Sequence, residues 1–548
     1  MSRVLKIHPN DNLIVALENI PAGERIVWMN EEIVVQQPVQ AKHKFAANNF
    51  EVGDPLYMYG VLIGKAYQPI KKGEVITTFN VKHAASEVIV RPADFRWKAP
   101  DVSPFTTKTF DGYIRSDGKV GVANYWLVIP LVFCENRNIE AVQEALESEL
   151  GYGKKSTAWD VQKLIKQYQS GADVQRIIET DIQVVEKEQP HNKLFPNVDG
   201  VKFLTHNGGC GGTRQDSEAL CNLLAGYVHN ANVAGATILS LGCQNAQVKI
   251  FEEAIKRVNP SFDKPLYILG QQESKSEKHF VEDSIKKTFA GLMQANTCER
   301  QPAPLGKLLV GLECGGSDGF SGISANPLLG YFSDMLTALG GSPVLAEFPE
   351  LNGVEQNIVD RCTSIELAER FVSLMNVYHK RAKEAGSGFD MNPSPGNIKD
   401  GLITDAMKSA GAAKKGGTSP VTDILDYTEQ ITKPGLNLLC TPGNDVESTT
   451  ALAGSGCTLM LFTTGLGTPT GNPITPVIKV SSNNQLTERM SDIIDVNAGT
   501  IITGEDSIES KAHALMEYVI DVASGRKETH ATRLGQDDFI PWKRGVSL

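Results

Sequence analysis

Residues 313–327 read Glu-Cys-Gly-Gly-Ser-Asp-Gly-Phe-Ser-Gly-Ile-Ser-Ala-Asn-Pro. The thiol of Cys314, the carboxylate of Asp318, the hydroxyls of Ser317 and Ser321 and the amide of Asn326 share this run with four glycines. It follows the apolar stretch 308–312, which reads as a buried strand. Glycine lets a backbone come close to a ligand, and open α/β sheets keep their sites in the loops that follow strands. A hydrophilic turn would account for Gly-Gly-Ser alone; the added thiol and carboxylate favour a binding or catalytic site.

Two more thiols, Cys210 and Cys243, stand beside glycine after apolar runs, and His206 lies four residues before Cys210. Cysteine and histidine suit a soft or borderline metal such as zinc or iron. Cys210, Cys243 and Cys314 are thus candidate metal ligands. Three thiols on three loops of one sheet would also suit an iron–sulfur cluster, or merely pack at a crowded crest. Glu347, Glu350 and Glu355 follow a further strand, and such a cluster can hold a hard cation or act as acid and base. A solvated loop explains them equally well. The loops 392–397, 441–445 and 463–471 are rich in donors, with Asn397, Asn444, Asp445, Thr464 and Thr468 as candidate ligand-binding groups for a carboxylate or polyol. Near the N-terminus, His43-Lys44 sits in a polar turn. A small domain docked over a site would bring those side chains to it, whereas on sequence alone they read as surface residues. No Gly-Lys-Ser/Thr ending marks a P-loop, and no Gly-x-Gly-x-x-Gly follows a first strand, so NAD is not expected.

These residues need elements to hold them. The chain has 548 residues, enough for several domains. Residues 1–92 read as a small β-rich domain, with short runs at 13–17, 33–36 and 75–79 between turn signals. Residues 93–108 read as a linker. Residues 109–300 open with a hairpin turning at Asp117-Gly118, then alternate strands (126–133, 200–204, 236–241, 266–269) with helices (139–150, 216–228, 247–258). Residues 301–548 repeat that rhythm, with strands at 308–312, 343–346, 436–439, 459–463 and 476–480 and a helix at 328–339. The fold class is therefore α/β, with a small β domain ahead of two parallel-sheet, Rossmann-like units. The Gly-, Lys- and Pro-rich stretch 384–417 reads as a mobile loop. A net charge of −11 argues against nucleic acid as partner. No run is long enough to span a membrane and no leader is evident, so a cytoplasmic protein is expected. Nine cysteines, with no Cys-x-x-Cys, argue against a disulfide framework.

The motifs also resemble a known family. His43-Lys44-Phe45-Ala46, Tyr59-Gly60 with Ile63-Gly64, Gly112-Tyr113 with Arg115, His206 with Gly209-Cys210, Gly242-Cys243, the block 313–327, Asn392 to Asn397, Pro442 to Asp445, Gly465 with Gly467-Thr468-Pro469, and Asn497-Ala498-Gly499 resemble the altronate/galactarate dehydratases along essentially the whole chain. Gly454, Gly456-Cys457 and the ending Gly545 to Leu548 resemble the altronate branch. The resemblance implies an N-terminal SAF-type β domain and a cytoplasmic hydro-lyase acting on a small sugar acid. The implied reaction is D-altronate to 2-keto-3-deoxy-D-gluconate, in hexuronate (galacturonate) catabolism. It further implies a divalent metal, Fe2+ or Mn2+, with no iron–sulfur cluster, and leaves a homo-oligomer open. The reaction it implies needs an acid/base pool, for which His43, Lys44 and His206 are the candidates. Galactarate dehydratase, a sulfo-lyase or a non-catalytic sugar-acid-binding homologue are the alternatives. Two departures stand out. Altronate enzymes often carry His-x-His-Asn where this chain has Thr77-Thr78-Phe79-Asn80, and Leu466 stands where many members have arginine.

Overall fold

The computed structural model describes residues 3–28, 31–91, 95–147, 149–153, 159–183 and 193–547. The start of the expected linker (residues 93 and 94) and Leu548 of the resembling C-terminal ending lie outside these, as does residue 148 of the expected helix 139–150.

The N-terminal region is built from short antiparallel strands. Val4–Leu5, Leu13–Ala16 and Lys44–Ala46 form one sheet, Pro55–Met58, Val61–Ala66 and Val81–Lys82 another, and Arg25–Trp28 pairs with Glu31–Val34. The run 75–79 is not a strand: Val75 makes one isolated bridge to Phe45, and the chain turns at Thr77. Asn80 drives that turn, accepting from the Thr77 amide at 2.8 Å while its own amide group donates to the Val75 carbonyl at 2.8 Å.

The expected hairpin is present. Thr109–Ile114 pairs antiparallel with Val120–Gly121, and Gly118 takes φ 77° in the turn. Next comes a four-stranded parallel sheet ordered Gly200–Phe203, Tyr125–Pro130, Val233–Ser240, Leu266–Gly270. Its two central strands are entirely buried, which is why they read as unbroken apolar runs rather than alternating ones. Helices Asn136–Leu146, Arg214–His229 and Val248–Val258 follow the strands.

The larger sheet has seven parallel strands in the order Val421–Leu425, Leu436–Leu439, Ser342–Leu345, Leu309–Cys314, Leu459–Thr464, Val477–Ser481, Val496–Asn497. Leu309–Cys314 lies in the middle. The chain first completes one side of it, laying the edge strand Val421–Leu425 before the inner Leu436–Leu439, then returns to build the other side. Such a reversal opens a crevice at the carboxyl ends of the strands, and the 313–327 block begins there.

The N-terminal region packs onto this end of the sheet. One apolar cluster contains Leu13, Phe50, Tyr59 and Ile63 from the first domain together with Phe320, Ile323, Ala406 and Met407 from the body. Thr404 Oγ1 donates to the Ile63 carbonyl at 2.8 Å. Lys44 is not a surface residue: it is fully buried, and its ammonium donates to the Gly401 carbonyl at 2.7 Å. A short strand pressed against a loop from 357 residues away hides what the local sequence presents as polar.

The stretch 384–417 is likewise ordered by capping rather than left as a loop. Ser394 and Asn397 form a capping box at helix Pro395–Lys399, and Thr404 caps Asp405–Ala412, with the 3-10 turn Ala413–Gly416 next. Its Lys408 and Lys415 point into the crevice.

Candidate active site

Cys314 ends the central strand and is buried with Glu347 and Glu350. The thiol stands 3.0 Å from Glu350 Oε2 and 3.5 Å from Glu347 Oε2, and Lys415 Nζ donates to it at 2.8 Å. Lys415 Nζ also pairs with Glu347 Oε2 at 2.6 Å. Lys408 pairs with Glu350, and Asn392 Nδ2 donates to the same carboxylate oxygen at 3.2 Å. Glu347 takes a left-handed backbone, φ 65° and ψ 61°. A non-glycine residue there carries strain of order 1–3 kcal/mol, which persists where the surroundings enforce it. Here the Glu347 amide donates to Thr441 Oγ1 at 2.8 Å, and its carboxylate is fastened by Lys415.

A second group joins Glu313, Glu347 and Asp445, whose oxygens lie within 4.8 Å of one another; Cys314, Glu347 and Glu350 meet the same limit. Glu313 Oε2 accepts from Ser448 Oγ at 2.7 Å, but Glu313 Oε1 and Glu347 Oε1 are buried without a partner. Burial, then the neighbouring carboxylates, hold the pKa of Glu313 and Glu347 above the usual carboxylate range and raise Asp445 to about 7. Glu350 goes the other way: burial opposes its ionisation, but Lys408 and Lys415 outweigh it and hold it at about 2. The Glu313 and Glu347 carboxyls face each other closely enough to share a proton, and with both ionised the buried oxygens would be costly. A divalent cation would satisfy them, so Glu313, Glu347 and Asp445, with Cys314 and Glu350 adjacent, fit a metal.

Asp445 reaches this group because residue 315 has no side chain. A Cβ there would lie 2.0 Å from Asp445 Oδ2 and 2.6 Å from the Phe462 ring. Gly315→Ala should therefore displace Asp445. Turnover should fall by at least tenfold with little change in helix and strand content by circular dichroism; undiminished turnover would show that Asp445 is dispensable.

Asp318 is a fastening point. Oδ1 accepts from the Phe320 and Ser321 amides (3.1 and 2.9 Å), Ser321 Oγ (2.9 Å) and Ser482 Oγ (2.8 Å). Oδ2 accepts from Asn483 Nδ2 at 3.1 Å and pairs with Lys42 Nζ of the N-terminal domain at 2.9 Å. Asn326 is engaged by Thr463 Oγ1 and the Gly411 carbonyl, and Asn397 Nδ2 donates to the Ser317 carbonyl. Thr464 Oγ1 accepts from the Gly467 and Thr468 amides, shaping the loop that carries Leu466 outward. Asn444 caps helix Asp445–Gly454. These residues surround the crevice but spend much of their bonding capacity on holding its loops.

His43 is half-buried at the rim, its Nε2 3.1 Å from the Lys399 carbonyl, and burial lowers its pKa. Burial also brings the neighbouring Lys44 down to about 7, against the pull of Asp318. His206 is elsewhere. It follows the edge strand of the four-stranded sheet, with Nε2 2.7 Å from the Pro130 carbonyl and Nδ1 accepting from the Gly208 amide at 3.1 Å. Its ring faces Phe539, and burial lowers it to about 4. None of these partners belongs to the carboxylate group. Cys210 and Cys243 also lie on the four-stranded sheet, exposed, while Cys314 is buried in the seven-stranded one, so the fold does not gather the three. Sequence reasoning missed Glu313, Lys42, Lys408 and Lys415; a buried strand ending in Glu-Cys was the one available signal for Glu313.

Three family models match in succession: the altronate/galactarate dehydratase SAF domain over residues 2–84, the second domain of D-galactarate dehydratase/altronate hydrolase over 112–296, and the C-terminal D-galactarate/altronate dehydratase domain over 305–547. Altronate dehydratase of Bacillus subtilis is 34% identical over the full length of both chains. The chain belongs to the altronate/galactarate dehydratase family. Altronate dehydratase of Escherichia coli is 31% identical with 99% of each chain covered. The galactarate dehydratase (L-threo-forming) of the same organism is 29% identical, covering 97% of this chain and 94% of that one. This member is accordingly a hydro-lyase, with a SAF domain at its N-terminus and an α/β body. Among the described residues no helix is long and apolar enough to cross a membrane.

Proposed function

We propose that this hydro-lyase dehydrates D-altronate to 2-keto-3-deoxy-D-gluconate in the cytoplasm, with Fe2+ as its preferred ion and Mn2+ as a substitute. The observation that carries the reading is the pair of partnerless carboxylate oxygens on Glu313 and Glu347, set beside Asp445 in a crevice closed by the SAF domain. Full-length similarity to two altronate dehydratases supports the substrate. The turn at Thr77 to Asn80 has no histidine, and the Asn80 side chain is used within it. This chain's ion is therefore assigned to Glu313, Glu347 and Asp445 rather than to that turn.

A bound divalent ion would stabilise negative charge on the substrate carboxylate and its α-carbon. The protein's groups do the rest. A base takes the proton from C2, and the C3 hydroxyl leaves as water after receiving a proton. The resulting enol then becomes the 2-keto acid, with no net oxidation. His43 and Lys44 are the proposed acid/base pair, since both lie on the SAF segment pressed against the crevice and burial keeps part of each neutral near pH 7. His206 has both ring nitrogens engaged and is assigned a structural role. Asp318, Ser321, Asn326, Asn397, Asn444 and Thr464 position loops, leaving Ser317 and Thr468 to face the sugar-acid chain. Lys42 and Lys408 offer cationic partners for its carboxylate where Leu466 offers none.

Turnover of altronate, galactarate and sulfolactate by metal-loaded protein tests the reading. Altronate should be strongly preferred. Preference for galactarate would move the chain to that branch, and no turnover of any of the three would make it a binding protein. His43→Ala should lower kcat by roughly a hundredfold, the usual size of losing a general acid or base, with an unchanged melting temperature. A base with its pKa at about 7, as for Lys44, should make kcat fall tenfold per pH unit below that value, because only the neutral amine accepts a proton. A flat acid limb down to pH 5 would remove Lys44 from that role.

A further inference from the structure

Cysteine is among the residue types most often buried. Five of the nine here are buried and Cys298 is intermediate; the exposed ones are Cys134, Cys210 and Cys243. All three stand after the carboxyl ends of adjacent strands of the four-stranded sheet. Cys134 follows the central strand Tyr125–Pro130, Cys210 follows its neighbour Gly200–Phe203, and Cys243 follows the neighbour on the other side, Val233–Ser240. Adjacent strands are about 4.8 Å apart, so three strand ends span only about 10 Å.

The loops themselves are tied together. The Phe133 amide, next to Cys134, donates to the Gly208 carbonyl at 3.1 Å, and the Ala246 amide donates to the Gly209 carbonyl at 3.1 Å. Gly209 has φ 96°, and a Cβ there would lie 2.1 Å from the Leu131 carbonyl oxygen, so the Cys210 loop is pressed directly against the Cys134 loop. The Cys243 loop is held from within, where Gln244 accepts from the Gly242 amide at 2.6 Å and donates to Ser240 Oγ at 2.6 Å. Three exposed thiols on three fastened loops is an expensive arrangement for an intracellular surface unless something occupies it.

We propose that Cys134, Cys210 and Cys243 hold an iron–sulfur cluster through three thiolates, separate from the carboxylate site. A single zinc ion with bonds of about 2.3 Å would need its thiolate sulfurs roughly 4 Å apart. Among the described residues these three sulfurs do not form a group within 4.8 Å of one another, which weighs against one shared ion; the cluster reading rests on the adjacency and fastening of the three loops. Cys298, the remaining partly exposed thiol, is engaged by Arg115 and is not a fourth ligand. One iron would thus carry no cysteine. The sequence reading groups Cys210 and Cys243 with Cys314 and expects no cluster; the fold pairs them with Cys134 instead, and that changes the expectation.

Full-length protein reconstituted anaerobically with ferrous iron, sulfide and thiol should bind iron and acid-labile sulfide stoichiometrically and turn brown. Cys134→Ala, Cys210→Ala and Cys243→Ala should each lose the sulfide and the visible absorbance while keeping the wild-type melting curve of the metal-free protein, since all three side chains are exposed. Cys298→Ala should keep the full sulfide content. Reconstituted wild-type protein without sulfide, zinc alone at the site by elemental analysis, a disulfide between two of the three cysteines as the only product, or sulfide retained in all three variants would each overturn the proposal.

Discussion

Glu347→Gln should abolish metal retention and turnover together. The substitution keeps the shape but removes the negative charge shared by the two groups of candidate ligands, Cys314 with Glu350 and Glu313 with Asp445. A bound ion contributes several kcal/mol of charge stabilisation in the transition state, and each 1.4 kcal/mol is a factor of ten. Turnover should therefore fall by about a thousandfold or more, and iron measured after desalting should drop to background. Added Fe2+ at high concentration should restore only part of the rate. A variant that retains both metal and rate would place the ion elsewhere and defeat the assignment of this site.

Lys415→Met should have the largest effect on stability. Lys415 is buried with its ammonium between Glu347 Oε2 and the Cys314 sulfur, at 2.6 and 2.8 Å. Removing one partner of a buried pair leaves an uncompensated charge and costs about 3–5 kcal/mol. In a domain of this size each kcal/mol is worth about 2–4 °C, so the melting transition of the α/β body should fall by roughly 10 °C. Part of the loss is recoverable by protonating the stranded carboxylates. Their pKa values would rise further without the lysine, so the deficit should shrink as the pH falls from 8 to 5.5. A melting temperature within 1–2 °C of wild type at pH 8 would mean that the pair contributes little.

Much of the architecture was legible because buried parallel strands leave a plain trace. Apolar runs ending in glycine and polar residues located the strands of the smaller sheet and five of the seven in the larger within a few residues, missing the edge strands Val421–Leu425 and Val496–Asn497, and the loop after Leu309–Cys314 was found to border the crevice. What could not be read depended on distance along the chain. Glu347 and Glu350 looked equally like a solvated loop, since nothing near them announces the lysines that neutralise them. Lys408 and Lys415 lie in a stretch whose glycine, lysine and proline content imitates a loop; only its caps, Ser394 and Thr404, argue for helix. Lys408 lies on helix Asp405–Ala412 and Lys415 on the 3-10 turn after it, so no single helical period relates the two in the sequence. Cys134 lacks the glycine neighbour that drew notice to Cys210 and Cys243, and its significance appears only when the strands are set in order.

The apolar seam between the SAF domain and the body has a consequence for synthesis. Leu13, Phe50 and Tyr59 leave the ribosome long before Phe320 and Met407, with which they share a cluster. Lys44 must wait for a carbonyl 357 residues later. At 5–20 residues per second that interval is roughly 20 to 70 seconds. For that time the nascent SAF domain presents a greasy face and an unpartnered lysine to the cell. It is a natural client for a chaperone that binds early, and slowing translation through residues 100–400 should raise aggregation of this protein more than that of a homologue whose SAF domain comes last.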